Sequence, residues 1–367
     1  MIKHLYVHVP FCKSICYYCD FCHNIYNEDL VNKWLDALQN EINNGCKDEY
    51  TTIYIGGGTP NSLSYEQLDS LLSMIEPFSN KCIEYTIELN PECFDIRQIE
   101  LFKKYHINRF SIGLQTTSTS LLKSLNRKHN YNDVYNLVNI LRDNGFYNIS
   151  IDLMYSLPNQ RMADLQRTLC SVVLELRAPH ISIYSLTIEE NSIFGKNGIK
   201  NLDVDTEADM YDYIVSFLKE NGYIHYEVSN FAKKGYESKH NMGYWDYDDY
   251  LGISLSSTSK IGNKRYTNTR SFDKYFESYM NKDEDLNLSL KDLIIENIMM
   301  SLRTNKGLCI NDFNAKYNID FNLLFNSSLN KFKDELLYAD GYIKVNNLAI
   351  LNHILTYFYI DLDKNQI

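Results

Sequence analysis

The sequence predicts an α/β fold: an incomplete (β/α)6 barrel followed by a C-terminal helix-rich, winged-helix-like domain. Two observations carry this. Within residues 1–190, short β-branched or aromatic runs alternate six times with longer amphipathic stretches, a pattern that implies parallel strands joined by right-handed crossovers. After Thr269 the alternation stops, and helical stretches with one small hairpin take over. The expected divisions are 1–190 for the barrel, 191–275 for an extension of it, and 276–367 for the C-terminal helical domain.

Leu5–Val9 is the first strand, and the stretch after it repeats apolar residues at Leu30, Trp34, Leu38 and Ile42, one face of a helix. Thr52–Ile55 is the second strand. The next helix opens on Ser64-x-x-Gln67, whose side chains can satisfy each other's backbone N–H groups, and it buries Leu68, Leu71, Leu72 and Ile75. Glu84–Leu89 is the third strand, before a helix over Ile99–Tyr105. Arg109–Ile112 is the fourth; Val134, Leu137, Val138 and Leu141 then line a helix that Gly145 ends. Asn148–Asp152, a helix over Asp164–Leu176, and His180–Ser185 complete the repeats. A helix over Asp205–Gly222 and a strand over Tyr223–Val228 follow. Leu290–Arg303 reads as helix, and a hairpin near Tyr342–Leu348 gives the last part its winged-helix character. In a barrel of this kind, chemistry belongs at the C-terminal ends of the strands.

Composition narrows the function. Lys and Arg number 36 against 47 Asp and Glu, a net charge of −11. Binding to nucleic acid draws on a basic patch or stripe, so no nucleic-acid partner is expected. No apolar run reaches the roughly 18 residues that suggest a bilayer span, and Met1–Val9 is too short and polar for a signal peptide. A cytoplasmic protein with no transmembrane segment is expected.

Four of nine cysteines, Cys12, Cys16, Cys19 and Cys22, fall within eleven residues just past the first strand. Three thiolates at C-x3-C-x2-C can wrap one face of a [4Fe–4S] cube and leave one iron without a protein ligand. Structural zinc is the alternative; it prefers paired C-x2-C knuckles with a second, distant pair, which this sequence lacks. The other five, Cys46, Cys82, Cys93, Cys170 and Cys309, are expected as small buried hydrophobes.

With that spacing at the end of a first barrel strand, the chain resembles the radical S-adenosylmethionine superfamily. Its flanking residues resemble the branch that contains oxygen-independent coproporphyrinogen III oxidase and its heme-chaperone relatives, over essentially the whole chain. The resemblance implies a cluster held by Cys12, Cys16 and Cys19. Its open iron would chelate S-adenosylmethionine, which an electron from the cluster cleaves to a 5′-deoxyadenosyl radical. Further landmarks stand at strand ends. Gly56-Gly57-Gly58-Thr59-Pro60 is similar to the family's GGGTP element, which meets the amino group of the cofactor. By the same resemblance Glu88 contacts the adenosyl portion, Asp152 the ribose, and Tyr6 the same cofactor. Gln115 lies at the end of the fourth strand, and Arg127 after it suits the cofactor carboxylate as a bidentate, charge-assisted partner. Gly57, Gly58 and Thr59 complete the expected S-adenosylmethionine site.

His240-Asn241-Met242-Gly243-Tyr244-Trp245 resembles the heme-binding signature of the chaperone branch. An imidazole can ligate heme iron, and aromatic side chains can cover a porphyrin face, so His240 is expected as an axial ligand, with Asn241, Tyr244 and Trp245 beside it. The oxidase has a further cysteine two residues after the third cluster ligand and a long N-terminal extension. Here position 21 is Phe, Cys22 comes one place later, and the cluster motif begins at residue 12. The expected function is therefore a heme chaperone that carries heme as cargo to a client protein and takes electrons from a donor such as flavodoxin or ferredoxin. Oxidative decarboxylation of coproporphyrinogen III is the alternative. A radical enzyme modifying RNA bases is disfavoured by the charge. One departure from relatives is Ser254-Leu255-Ser256-Ser257-Thr258, where a glycine- and alanine-rich turn is usual, at the upper rim of the pocket.

Overall fold

The computed structural model describes residues 2–346 and 348–365. Its centre is β1 (His4–Val9), whose alternate residues Leu5, Val7 and Val9 are fully buried in the main core. The period of two sends His4, Tyr6 and His8 to the opposite face, the lumen of the barrel. β2 (Thr52–Gly57), β3 (Glu84–Leu89), β4 (Arg109–Gln115), β5 (Ile149–Tyr155) and β6 (His180–Ser185) pair onward from β1, all parallel. The helices between them are α1 (Glu28–Gly45), α2 (Tyr65–Ile75), α3 (Gln98–Lys104), α4 (Tyr131–Asp143) and α5 (Met162–Cys170). The expected α/β barrel is thus present and open. The Ser64–Gln67 cap forms as the sequence predicts, with both reciprocal hydrogen bonds at 3.1–3.2 Å. Gly145, at φ +89°, follows α4 in the left-handed conformation that lets the chain turn out of the helix.

Several boundaries move. β4 and β5 each run three residues beyond expectation. The helix expected to continue to Leu176 changes at Ser171–Glu175 to a π-helical turn. After α6 (Val204–Glu220), the expected strand is β7 (Ile224–Glu227), but it does not touch β6. β8 (Asn230–Ala232) lies between them, antiparallel to both. Of the five scattered cysteines, Cys46 and Cys93 are buried; Cys82, Cys170 and Cys309 are half-buried.

The largest difference lies on the other side of β1. After α7 (Lys239–Trp245), β9 (Tyr250–Ile253) pairs parallel with β1, and β10 (Thr258–Ile261), β11 (Lys264–Asn268) and β12 (Lys282–Asn287) follow as an antiparallel meander. The sheet therefore has twelve strands, in the order β12-β11-β10-β9-β1-β2-β3-β4-β5-β6-β8-β7. β12 belongs to it, eleven residues past the boundary expected at 276. A second core, separate from that of the barrel, gathers around Ile294, Ile298, Phe313, Phe321, Phe325 and Phe358. It is served by α8 (Leu290–Ser301) and by the hairpin of Leu336–Ala339 with Tyr342–Val345, which Leu308–Cys309 extends. Asn347, within the expected hairpin, lies outside the described residues, as do Met1, Gln366 and Ile367. Among the described residues, no helix is long and apolar enough to cross a membrane.

The Ser254–Thr258 departure has a structural account. Ser254 and Ser256 sit at φ +78° and +59°, the left-handed region that glycine occupies more readily. The turn is held by the buried Glu41 carboxylate, which accepts from the Ser254 N–H (2.8 Å), Asn268 Nδ2 (2.9 Å) and the Tyr275 hydroxyl (2.6 Å). Trp34 Nε1 adds a hydrogen bond to Ser254 Oγ.

Candidate functional site

Strands β2–β6 and the loop that follows β1 surround a cavity of about 530 Å³. Cys12, Cys16 and Cys19 border it from the loop after β1; Cys22 does not, and its thiol instead donates to the Arg270 carbonyl (3.6 Å). That loop is fixed from several sides. His8 Nε2 donates to the Cys22 carbonyl (2.8 Å), Asn126 Nδ2 to the Ile15 carbonyl (2.7 Å), and Ser14 Oγ to Glu92 Oε1 (2.9 Å). Because His8 Nε2 must carry its proton, Nδ1 accepts from the Tyr6 hydroxyl (2.9 Å). Burial pushes the Cys12 thiol up to about 12 and the Cys19 thiol up to about 11, so iron must take the place of those protons when it binds. Among the described residues, no three His, Cys, Asp or Glu side chains converge on a single ion. A cube asks for something different, one thiolate on each of three irons.

Seven of the eight residues expected around S-adenosylmethionine line this cavity: Gly57, Gly58, Thr59, Glu88, Gln115, Arg127 and Asp152. Tyr6 does not; it faces a second cavity described below. Gly57 has φ +105°, and a Cβ there would come within 2.3 Å of the His8 ring, so only glycine suits the turn. Its N–H donates to Glu88 Oε2 (3.0 Å), and the Tyr54 hydroxyl donates to Glu88 Oε1 (2.7 Å). Burial, with Asp152 adding to it, nevertheless pushes the Glu88 carboxyl up to about 7. Asp152 is also raised by burial, although Ser111 Oγ donates to both its oxygens at 2.8–2.9 Å.

Arg127 sends Nη1 to Cys16 Sγ (3.4 Å) and Nη2 to the Gly113 carbonyl (3.1 Å) and Asn90 Oδ1 (3.2 Å). Among the described residues its buried Nε has no protein partner, nor has the buried Oε1 of Gln115, a residue at a bulge with φ +62°. Buried polar atoms are rarely left unpaired. Two such orphans in the wall of one cavity suit a site built for a polar ligand. The spacing of the three cysteines and this donor set fit an iron–sulfur cluster with a zwitterionic cofactor beside it. Tyr54, Ser111 and Asn90 are missing from the sequence-derived set; only their place marks them, two residues from Gly56 and Glu88 for Tyr54 and Asn90, and on the strand that ends at Gln115 for Ser111.

At the opposite end of the lumen α7 closes the barrel. Glu84 accepts from Ser238 Oγ (3.4 Å), the Lys239 N–H (3.0 Å) and the His240 N–H (2.8 Å), which places a carboxylate at the positive end of the helix. Gly243 allows the close approach, since a Cβ there would meet His4 Nε2 at 2.3 Å. His240 is 1% exposed and both ring nitrogens are engaged, Nδ1 with Thr52 Oγ1 (2.8 Å) and Nε2 with the Tyr244 hydroxyl (2.8 Å). Burial, then the nearby His4, pulls its pKa down to about 3. Here His240 is a neutral, doubly hydrogen-bonded core side chain, and axial ligation, the role expected of it, would require one of these hydrogen bonds to break. The other three candidates, Asn241, Tyr244 and Trp245, border the second cavity, of about 700 Å³, between α7, β9–β11 and α8.

Residues 6–170 match the model of the radical SAM superfamily, and residues 288–348 match that of the HemN C-terminal domain. The chain is 37% identical over 345 residues to the heme chaperone HemW of Lactococcus lactis, covering 91% of this chain and 90% of that one. It is 34% identical to the heme chaperone HemW of Bacillus subtilis, covering 89% and 90%. Among solved structures, the coproporphyrinogen III oxidase HemN of Escherichia coli superposes with a TM-score of 0.85 over 97% of this chain and 90% of that one. At 22% identity, that likeness speaks for the fold alone.

Proposed function

The chain belongs to the HemW family of radical S-adenosylmethionine proteins, and we propose that it is a heme chaperone, binding heme and delivering it to a client protein. The observation that carries the reading is the identity of 37% to a heme chaperone over nine-tenths of both chains. In this reading Cys12, Cys16 and Cys19 hold a [4Fe–4S] cluster. Gly57, Gly58, Thr59, Glu88, Gln115, Arg127 and Asp152 hold S-adenosylmethionine, and Tyr6 acts indirectly, by fixing the His8 tautomer that anchors the cluster loop. When bound, the cluster supplies an electron and an iron with a free coordination position. Supporting this are the common cavity of the three cysteines and the unpaired Arg127 Nε and Gln115 Oε1. A flavodoxin- or ferredoxin-type donor and a cytoplasmic setting belong to the same proposal.

The test is anaerobic cluster reconstitution, followed in parallel by heme titration and a coproporphyrinogen III turnover assay with S-adenosylmethionine. The expected result is about one heme per chain, with no protoporphyrinogen above a cluster-free control. Turnover well above that control would replace the chaperone reading with the oxidase.

A further inference from the structure

The second cavity has walls that no single sequence segment supplies. Tyr244 and Trp245 come from α7, Tyr250 from β9, Arg265 from β11, and Met299 and Met300 from α8 of the C-terminal part. At about 700 Å³ it is within the range of roughly 300–1,000 Å³ that holds small molecules and cofactors. Flat aromatic faces and adaptable thioethers suit a broad, planar, largely apolar ligand.

Its charges are unevenly committed. The carboxylates that border it all have protein donors. Glu227 accepts from the Ser229 N–H (3.2 Å) and from Asn230 Nδ2, Asp248 from Lys3 Nζ (3.1 Å) and His4 Nε2 (3.3 Å), and Glu296 from the Tyr247 hydroxyl (2.6 Å). Lys260 Nζ is engaged by Asp249 Oδ1 (3.0 Å) and the Tyr247 carbonyl (3.3 Å). Arg265 is different. Its Nη1 donates to Glu296 Oε1 (2.7 Å), and among the described residues its Nε and Nη2 have no protein acceptor. With a side chain 31% exposed, it keeps a planar pair of donors for an incoming carboxylate.

We propose that this second cavity is the cargo site, and that Arg265 anchors a carboxylate of a flat, dianionic tetrapyrrole laid between the α7–β9 aromatics and the α8 methionines. This rests on the heme-chaperone reading, takes Tyr244 and Trp245, which the resemblance already puts beside heme, as one wall, and adds the methionine wall opposite and the Arg265 anchor. Arg265 is shared, with Nη1 on Glu296 and the remaining fork on a propionate, so the acidic wall does not repel the cargo.

The experiment titrates heme and its dimethyl ester, which lacks the propionate charges, into reconstituted full-length wild type and Arg265→Gln, with cluster absorption as the folding control. Wild type should bind heme at least about tenfold more tightly than the ester. Arg265→Gln should lose that factor for heme and leave ester affinity unchanged. Unaltered heme affinity in Arg265→Gln, or an equal loss for heme and ester, overturns the proposal while the chaperone reading stands. If Arg265→Gln does not fold, wild type alone decides, because equal affinity for heme and ester overturns it. Wild type that binds no heme removes the chaperone reading, and the cavity assignment with it.

Discussion

The Tyr244 hydroxyl lies 2.8 Å from His240 Nε2, and the other imidazole nitrogen is 2.8 Å from Thr52 Oγ1. One proton arrangement satisfies the whole chain: Tyr244 donates to His240, His240 to Thr52, Thr52 to His4, and His4 to Asp248. A nitrogen already occupied this way, in a ring 1% exposed, is not free to bind iron. It ties α7 to the base of β1 and β2.

His240→Ala should therefore lower folding stability by about 2–4 kcal/mol, the range for truncating a buried side chain and leaving its partners unpaired. Urea unfolding would measure this, and a heme titration would show the Soret band of the bound heme in its wild-type position. A displaced Soret band in a variant as stable as wild type would restore His240 as the ligand.

The cysteines separate by position. Cys12, Cys16 and Cys19 border one cavity, whereas the Cys22 thiol donates to Arg270 and stands outside it. Alanine at any of the first three should abolish the charge-transfer absorption of the reconstituted protein, and Cys22→Ala should keep most of it. Equal loss in all four variants would mean four protein ligands and no open iron.

Arg127 joins Cys16, Asn90 and Gly113 and still has an unpaired Nε. Arg127→Ala and Asp152→Ala should each weaken S-adenosylmethionine binding by about 1–3 kcal/mol, as expected for a lost charge-assisted hydrogen bond. Calorimetry on reconstituted protein gives the number, with iron content as the control for the cluster. Unchanged affinity in either variant removes that residue from the site.

What the sequence made legible was local. The six parallel strands announce themselves by apolar runs, and the cofactor residues follow because strand ends carry the motifs. The Ser64–Gln67 cap needs only four residues to specify itself. The meander escaped for physical reasons. β9 and β10 are four residues each, too short to establish a period. β12 reads Lys-Asp-Glu-Asp-Leu-Asn, and its charges suit a solvent-exposed edge strand while hiding it from any hydrophobic pattern. Arg265, Met299 and Met300 become neighbours only when that meander and α8 meet. His240 shows the converse limit: a motif fixes residue types and spacing, and burial decides which atoms remain free.

Glu88 gives the site a pH signature. Its carboxyl is pushed from the usual 4.5 up to about 7, by burial first and by Asp152 second. Between those two values the folded protein retains a proton that the unfolded chain has released. The stability this confers is complete below about pH 4.5, falls as the pH rises, and is gone above about pH 7. Glu88→Gln is neutral at every pH and has no such slope. Its loss of one acceptor to Tyr54 or Gly57 is a constant offset, which cancels when two pH values are compared. Relative to wild type, the variant should gain on the order of 1–3 kcal/mol between pH 5 and pH 8. Urea midpoints without S-adenosylmethionine at those two pH values measure the gain. Stability curves that stay parallel across the window would mean that Glu88 ionises normally in the fold, with enough water or positive charge at the cavity floor to offset its burial.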